Sequence, residues 1–210
     1  PAQYHGAGWL EPLNAYLGEP AVALKPYLPV YASSNVVDGK IAAMPAFADA
    51  MFMYYRKDLL EKHKIAEPKT WDELAAASKK IQDGEKNPNL QGLSIQGAPI
   101  EGAVCTFLLP YWSLGGEIIR DGKTSFERSK AEAGLKMWRA MIDEGVAKKN
   151  SAEVGTDDTR KEFQAGKVVF GVIWGYAWNH FQGGADTQVK GKVGVVKLPA
   201  MPGGKAVSCM

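Results

Sequence analysis

The chain has 210 residues, 46% of them hydrophobic and 23% charged, and 25 basic against 23 acidic side chains leave a net charge of +2. That composition excludes disorder, and the scattered lysines and arginines form no stripe of the kind nucleic acid or an acidic membrane requires. The longest nearly apolar run, residues 168–178, is too short for the roughly 20 residues that span a bilayer, so no stable membrane insertion of this segment is expected.

Start and stop signals mark alternating elements along the chain. An Asp38-Gly39 turn introduces a strand over 41–44, and the aromatic-rich stretch 50–55 is a second. Thr70-Trp71-Asp72-Glu73 is a capping box opening a helix to about residue 82, with Leu74, Ala77, Ser78 and Ile81 at helical spacing. A strand over 93–95 precedes a helix over 101–114, kinked at Pro110 and closed by Gly115-Gly116. Asp121-Gly122 suits the positive φ angles of a type I′ turn, so 117–120 and 123–126 read as a hairpin. Ser129-Lys130-Ala131-Glu132 is read as another capping box, for a helix with an apolar stripe of Ala131, Leu135, Trp138 and Ile142 and Gly145 past its end. A helix from about Thr156 to Gly166 turns Phe163 inward. The apolar run 168–174 then reads as a strand buried on both faces. A short helix over 176–181 and a strand over 192–198 complete the series. Strands alternating with helices of this length indicate an α/β fold.

Catalytic and metal signatures are missing. His5, His63 and His180 have no neighbouring ligand residues at metal spacing, and His63, on a charged helix end, is expected at the solvated surface. Nucleophile-elbow, zinc-protease and phosphate-loop motifs are absent, and no cofactor is implied. Cys105 and Cys209, far apart in sequence, read as two free thiols, with Cys105 buried. Tyr54 and Tyr55 cannot chelate one ion together, because consecutive strand residues point to opposite faces. Asp49 and Glu101 are the carboxylates a glycosidase reading would pair. The segment Trp174-Gly175-Tyr176-Ala177-Trp178 is more informative. It leaves the buried strand at its carboxyl end, where open α/β sheets bind ligands, and flat rings beside carboxylates suit the C–H face of a sugar. The same rings also fit the core face of the following helix, and Tyr111-Trp112 poses the same pair of alternatives.

Several of these segments recur in a fixed order: Asp38-Gly39-Lys40-Ile41-Ala42-Ala43-Met44-Pro45, Tyr54-Tyr55-Arg56-Lys57-Asp58-Leu59-Leu60, Pro68-Lys69-Thr70-Trp71-Asp72-Glu73-Leu74, Leu114-Gly115-Gly116-Glu117, Phe163-Gln164-Ala165-Gly166-Lys167, the strand 168–174, and Lys192-Val193-Gly194-Val195 through Leu198-Pro199. The ordered set, spread over nearly all of the chain, resembles the extracellular solute-binding proteins of carbohydrate-uptake ABC transporters, the family of maltose-binding protein. The resemblance implies a type II periplasmic-binding-protein-like fold of two hinged α/β lobes. Residues 1–48 would belong to the first lobe, 49–196 would form the second, and 197–210 would return to the first; the chain looks like the central portion of such a protein. The implied role is capture of a sugar or oligosaccharide in an inter-lobe cleft and delivery to the permease subunits, with no catalytic residue and a periplasmic or extracellular location (lipid-anchored in some relatives). Carried over by position, Asp49 and Tyr176 match an acidic sugar contact and an aromatic platform, and Glu101 lies near another acidic position. Trp112, Trp174 and Trp178 complete the candidate substrate-binding set, while Trp71 is read as packing. Apolar surface around Trp9, Leu10, Leu13 and Leu17 is expected to lack cover. The competing readings are a carbohydrate-active enzyme using Asp49 and Glu101, and the same fold binding a polyamine, an amino acid or a metal.

Overall fold

A computed structural model describes all 210 residues, which divide into two compact units, Pro1–Ala48 and Asp49–Met210. The first unit holds four short helices, α1 (Ala2–Gly6), α2 (Asn14–Leu17), α3 (Pro20–Ala23) and α4 (Pro29–Ser33), and a hairpin of β1 (Val36–Val37) with β2 (Lys40–Ile41). Asp38 and Gly39, at φ 50° and 74°, make the turn that their sequence demands. The strand expected over 41–44 shrinks to Lys40–Ile41, because β1 begins only three residues after α4 and offers two residues to pair. Trp9 and Leu17 are exposed, and Leu10 and Leu13 are half-buried.

The second unit is a three-layer α/β structure. In chain order it contains β3 (Met51–Arg56), α5 (Lys57–His63), α6 (Trp71–Glu85), β4 (Gln91–Ser94), α7 (Glu101–Ser113), the hairpin β5 (Ile119–Arg120) and β6 (Lys123–Thr124), α8 (Arg128–Asp143), α9 (Thr156–Gln164), β7 (Val168–Trp174), α10 (Ala177–Gly183) and β8 (Val193–Val196). No helix is long and apolar enough to cross a membrane. The sheet order is β4–β7–β3–β8, with β7 parallel to β4 and antiparallel to β3. Val168–Trp174 is therefore an inner strand, which is why its sequence shows no polar alternation.

Strand β3 distributes its side chains by the period of two. Met51, Met53 and Tyr55 enter a core built with α5, α6, α7 and α8; Phe52 and Tyr54 enter the opposite core, with Phe163 of α9 and Phe181 of α10. Two adjacent tyrosines thus serve two separate cores.

Helix α6 starts as its sequence specifies: the Glu73 N–H donates to Thr70 Oγ1 at 3.2 Å, and the Glu73 carboxylate accepts the Lys69 N–H at 2.7 Å. Helix α8 does not. It begins two residues earlier, with Glu127 as its N-cap and no side-chain cap, so Ser129 lies inside the first turn. Its buried stripe is Ala131, Gly134, Trp138 and Met141, and Leu135 is exposed. The rotation follows from Pro110 of α7. A Cβ on Gly134 would lie 2.8 Å from the Pro110 ring, so only the glycine face of α8 can approach α7 there.

Two further expectations are corrected. Cys105 and Cys209 are joined by a disulfide, with Cα atoms 5.7 Å apart, and are not free thiols. Separation in sequence did not prevent pairing because the final residues run back beside β3: Met51 N–H donates to Cys209 O at 3.0 Å and Ser208 Oγ donates to Met51 O at 2.7 Å. His63 is half-buried rather than solvated, its Nε2 2.5 Å from Glu85 Oε1, and Gly84 leaves room for its ring.

Candidate functional site

The register of the sheet builds the site. Met51 of β3 pairs with Trp174 of β7 in an antiparallel ladder. The residues just before β3, Asp49 and Ala50, must then meet those just after β7, Gly175 and Tyr176. The Gly175 N–H is shared between Ala50 O at 3.0 Å and Asp49 Oδ1 at 2.8 Å, and the same carboxylate oxygen accepts the Ala50 N–H at 2.9 Å. A Cβ on Gly175 would sit 3.0 Å from Asp49 Oδ1 and 3.3 Å from the Phe52 ring, so glycine is what permits this approach.

From below, the buried Tyr54 hydroxyl lies 3.1 Å from Gly175 O and 3.3 Å from Trp174 O. Its ring is wedged edge-on against Phe181 and Phe163. Burial, and then the Asp49 charge, push the Tyr54 phenol up to about 12, so it stays a neutral donor to these carbonyls.

Beyond this gripped backbone the rings emerge. Tyr176 is 41% exposed and Trp178 42% exposed, while Ala177 between them is buried against the Tyr54 core. Tyr176 is the N-cap residue of α10, whose first turn carries both side chains outward. Its ring meets His180 edge-on at 5.9 Å, and its hydroxyl lies 3.5 Å from Asp157 Oδ1 on α9. Burial, and then the Asp157 charge, raise the Tyr176 phenol, which keeps its proton for donation. Arg160 Nε lies 3.6 Å from Asp157 Oδ1. The resulting surface has two flat faces edged by a carboxylate, a guanidinium and an imidazole, a combination suited to a ring with both C–H and hydroxyl faces.

The six residues singled out in the sequence separate into groups. Asp49, Tyr176 and Trp178 belong to this edge. Trp174 ends β7 half-buried, packed against the main core. Trp112 packs, half-buried, against the same core from the last turn of α7, beside the fully buried Tyr111. Glu101 is exposed in the first turn of α7, where a carboxylate complements the helix dipole. Asp157, Arg160 and His180 were not anticipated at the edge. Asp157 was visible only as a helix-start residue, and nothing local shows that α9 sets it against Tyr176.

Comparison with known proteins places this geometry. The sequence profile described as bacterial extracellular solute-binding protein matches residues 1–208. A probable ABC transporter-binding protein of Deinococcus radiodurans is 39% identical over 197 residues, which cover 91% of this chain and 46% of that protein. The maltose-bound MalE3 of T. maritima is 38% identical with a TM-score of 0.87, over 99% of this chain and 52% of that one. The GacH receptor of Streptomyces glaucescens, solved unliganded and with acarbose, is 26% identical with a TM-score of 0.79, over 99% and 51%. The chain thus spans about half the length of the relatives it matches. In profile, sequence and fold alike, it belongs to the bacterial extracellular solute-binding proteins.

Proposed function

We propose that this chain is part of the substrate-binding component of an ABC transporter, which captures a sugar or oligosaccharide and delivers it to the permease subunits. The observation that carries the reading is the exposed pair Tyr176 and Trp178 on a backbone fixed by Asp49, Ala50 and Tyr54. Structural relatives bound to maltose and to acarbose support the carbohydrate class. In this reading Tyr176 is the stacking platform, Trp178 a second wall, and Asp157 and Arg160 the polar partners of hydroxyls. Contacts that a sugar makes only in a closed form of the whole binding protein would shift the population toward that form. The site lies in the periplasm or outside the cell, which the Cys105–Cys209 disulfide supports, since such bonds persist in oxidising compartments.

Thermal-shift screening of the whole protein against mono- and oligosaccharides tests the proposal. A ligand at about 100 times its Kd adds about 2.7 kcal/mol of stability, so a true substrate stands out. Stabilisation by polyamines, amino acids or metal ions with none by sugars would replace the ligand class. Turnover of chromogenic glycosides that is abolished by Asp49→Asn would replace binder with enzyme.

A further inference from the structure

We infer that Asp49 is a positioning residue, which sets the orientation of Tyr176 and Trp178 by holding the Gly175 amide through Oδ1. The inference deepens the sugar-binding reading and rests on it. Asp49 Oδ1 is already committed to two N–H donors, those of Ala50 and Gly175, at 2.9 and 2.8 Å. Both are backbone groups of the residues that flank the two strands where their ends meet, so the carboxylate ties the residue before β3 to the start of the aromatic segment. Its grip acts on a lever. Gly175 is one residue from Tyr176, and its carbonyl receives the Trp178 N–H at 3.3 Å and the Tyr54 hydroxyl at 3.1 Å. The N–H that Asp49 holds and the carbonyl that Trp178 and Tyr54 hold lie in the two peptide planes that meet at the Gly175 Cα, so a change in the Gly175 dihedral angles turns the first residues of α10, on which both exposed rings ride.

The tight fit at Gly175 supports the same assignment. A Cβ there would lie 3.0 Å from the carboxylate oxygen and would press on it, so glycine lets Asp49 and the Gly175 amide approach closely. Ala50 O also accepts the Gly175 N–H, so losing the carboxylate leaves the ladder bond in place and releases only the second restraint. The fold survives such a change while the ring geometry loosens.

The test is a cycle of Asp49→Ala, Asp49→Asn, Tyr176→Ala and the double variant Asp49→Ala/Tyr176→Ala in the whole protein. Maltose and the best oligosaccharide of the screen serve as probes, read by calorimetry, and near-ultraviolet circular dichroism is read on the ligand-free proteins. Asp49→Ala should weaken binding about tenfold, the scale of a lost hydrogen bond to a charged group. Asp49→Asn, whose amide oxygen still accepts the Gly175 N–H, should stay within about threefold of the parent. The double variant should bind no more than about twofold more weakly than Tyr176→Ala alone, because one effect acts through the other. In the absence of ligand, Asp49→Ala should change the aromatic dichroism and Asp49→Asn should not. Asp49→Asn as damaging as Asp49→Ala, with losses that multiply in the double variant and unchanged dichroism, overturns the inference and makes Asp49 a direct ligand contact. Should no sugar bind the parent protein, the functional reading fails, and the dichroism of the free proteins still decides whether Asp49 orients the rings.

Discussion

Two aromatic pairs in the second unit use similar residues for opposite ends. Trp71 and Trp138 meet edge to face, centroids 4.9 Å apart, with 0% and 6% exposure, and the Trp138 indole N–H donates to Thr106 O at 3.0 Å. Tyr176 and Trp178 stand about two-fifths exposed, at the N-cap and in the first turn of α10. The first pair lies under the sheet, where α6 and α8 close on it and the nearby disulfide holds α7 to the chain's last residues. The second lies where β7 ends, and its backbone is restrained while its rings are left without cover. An aromatic residue is packed where helices close over it and left accessible where the sheet runs out.

The sharpest break of that contrast is Trp138→Ala. Removing a large buried ring and the donor to Thr106 should cost about 3–5 kcal/mol, measured by denaturant unfolding, and reduce ligand binding only in proportion to the unfolded fraction. Cys105→Ser/Cys209→Ser acts on the same core. With the paired residues 104 apart in sequence, opening the loop should cost about 2–4 kcal/mol, seen equally when the parent is melted in reductant. A double variant as stable as the parent would show that the bond does not hold the core.

On the recognition side, Tyr176→Ala should weaken sugar binding by at least roughly tenfold, since a stacked and partly buried ring contributes on the order of 1–2 kcal/mol. Its melting temperature should stay close to that of the parent, because an exposed ring leaves no cavity. If Tyr176→Ala unfolds the protein and its folded fraction binds normally, the contrast collapses and the platform moves to Trp178 or Trp174.

Tyr54→Phe is the smallest change, expected to cost about 1 kcal/mol for its lost hydrogen bond. It also has a pH signature. Burial raises the Tyr54 phenol from 10.0 to about 12, and burial followed by the Glu67 hydrogen bond does the same for Tyr55. The unfolded chain therefore loses these protons first as pH rises. Their contribution to stability is complete below about pH 10 and falls away toward pH 12. Tyr54→Phe should flatten that decline, leaving the part owed to Tyr55. A decline of unchanged steepness would assign it elsewhere.

Much of the fold was legible because the signals are local. The Thr70 box, the Asp38-Gly39 and Asp121-Gly122 turns and the unbroken apolar run of Val168–Trp174 each specify their element through contacts within a few residues. The ordered motifs carried the family. What stayed hidden depends on partners distant in the chain. Leu135 and Ser129 were misread because the roll of α8 is set by Gly134 meeting Pro110 on another helix. The disulfide was misread because cysteines 104 residues apart become neighbours only when the last residues run beside β3. Sequence by itself determined most of the strands and helices of the second unit and that aromatic rings follow the central strand. Tertiary structure alone decided that Trp112 sits half-buried against the main core and that Tyr176 is exposed. It also turned Asp49 onto the Gly175 amide, because antiparallel register brings the start of β3 and the end of β7 to one edge, which no local pattern encodes.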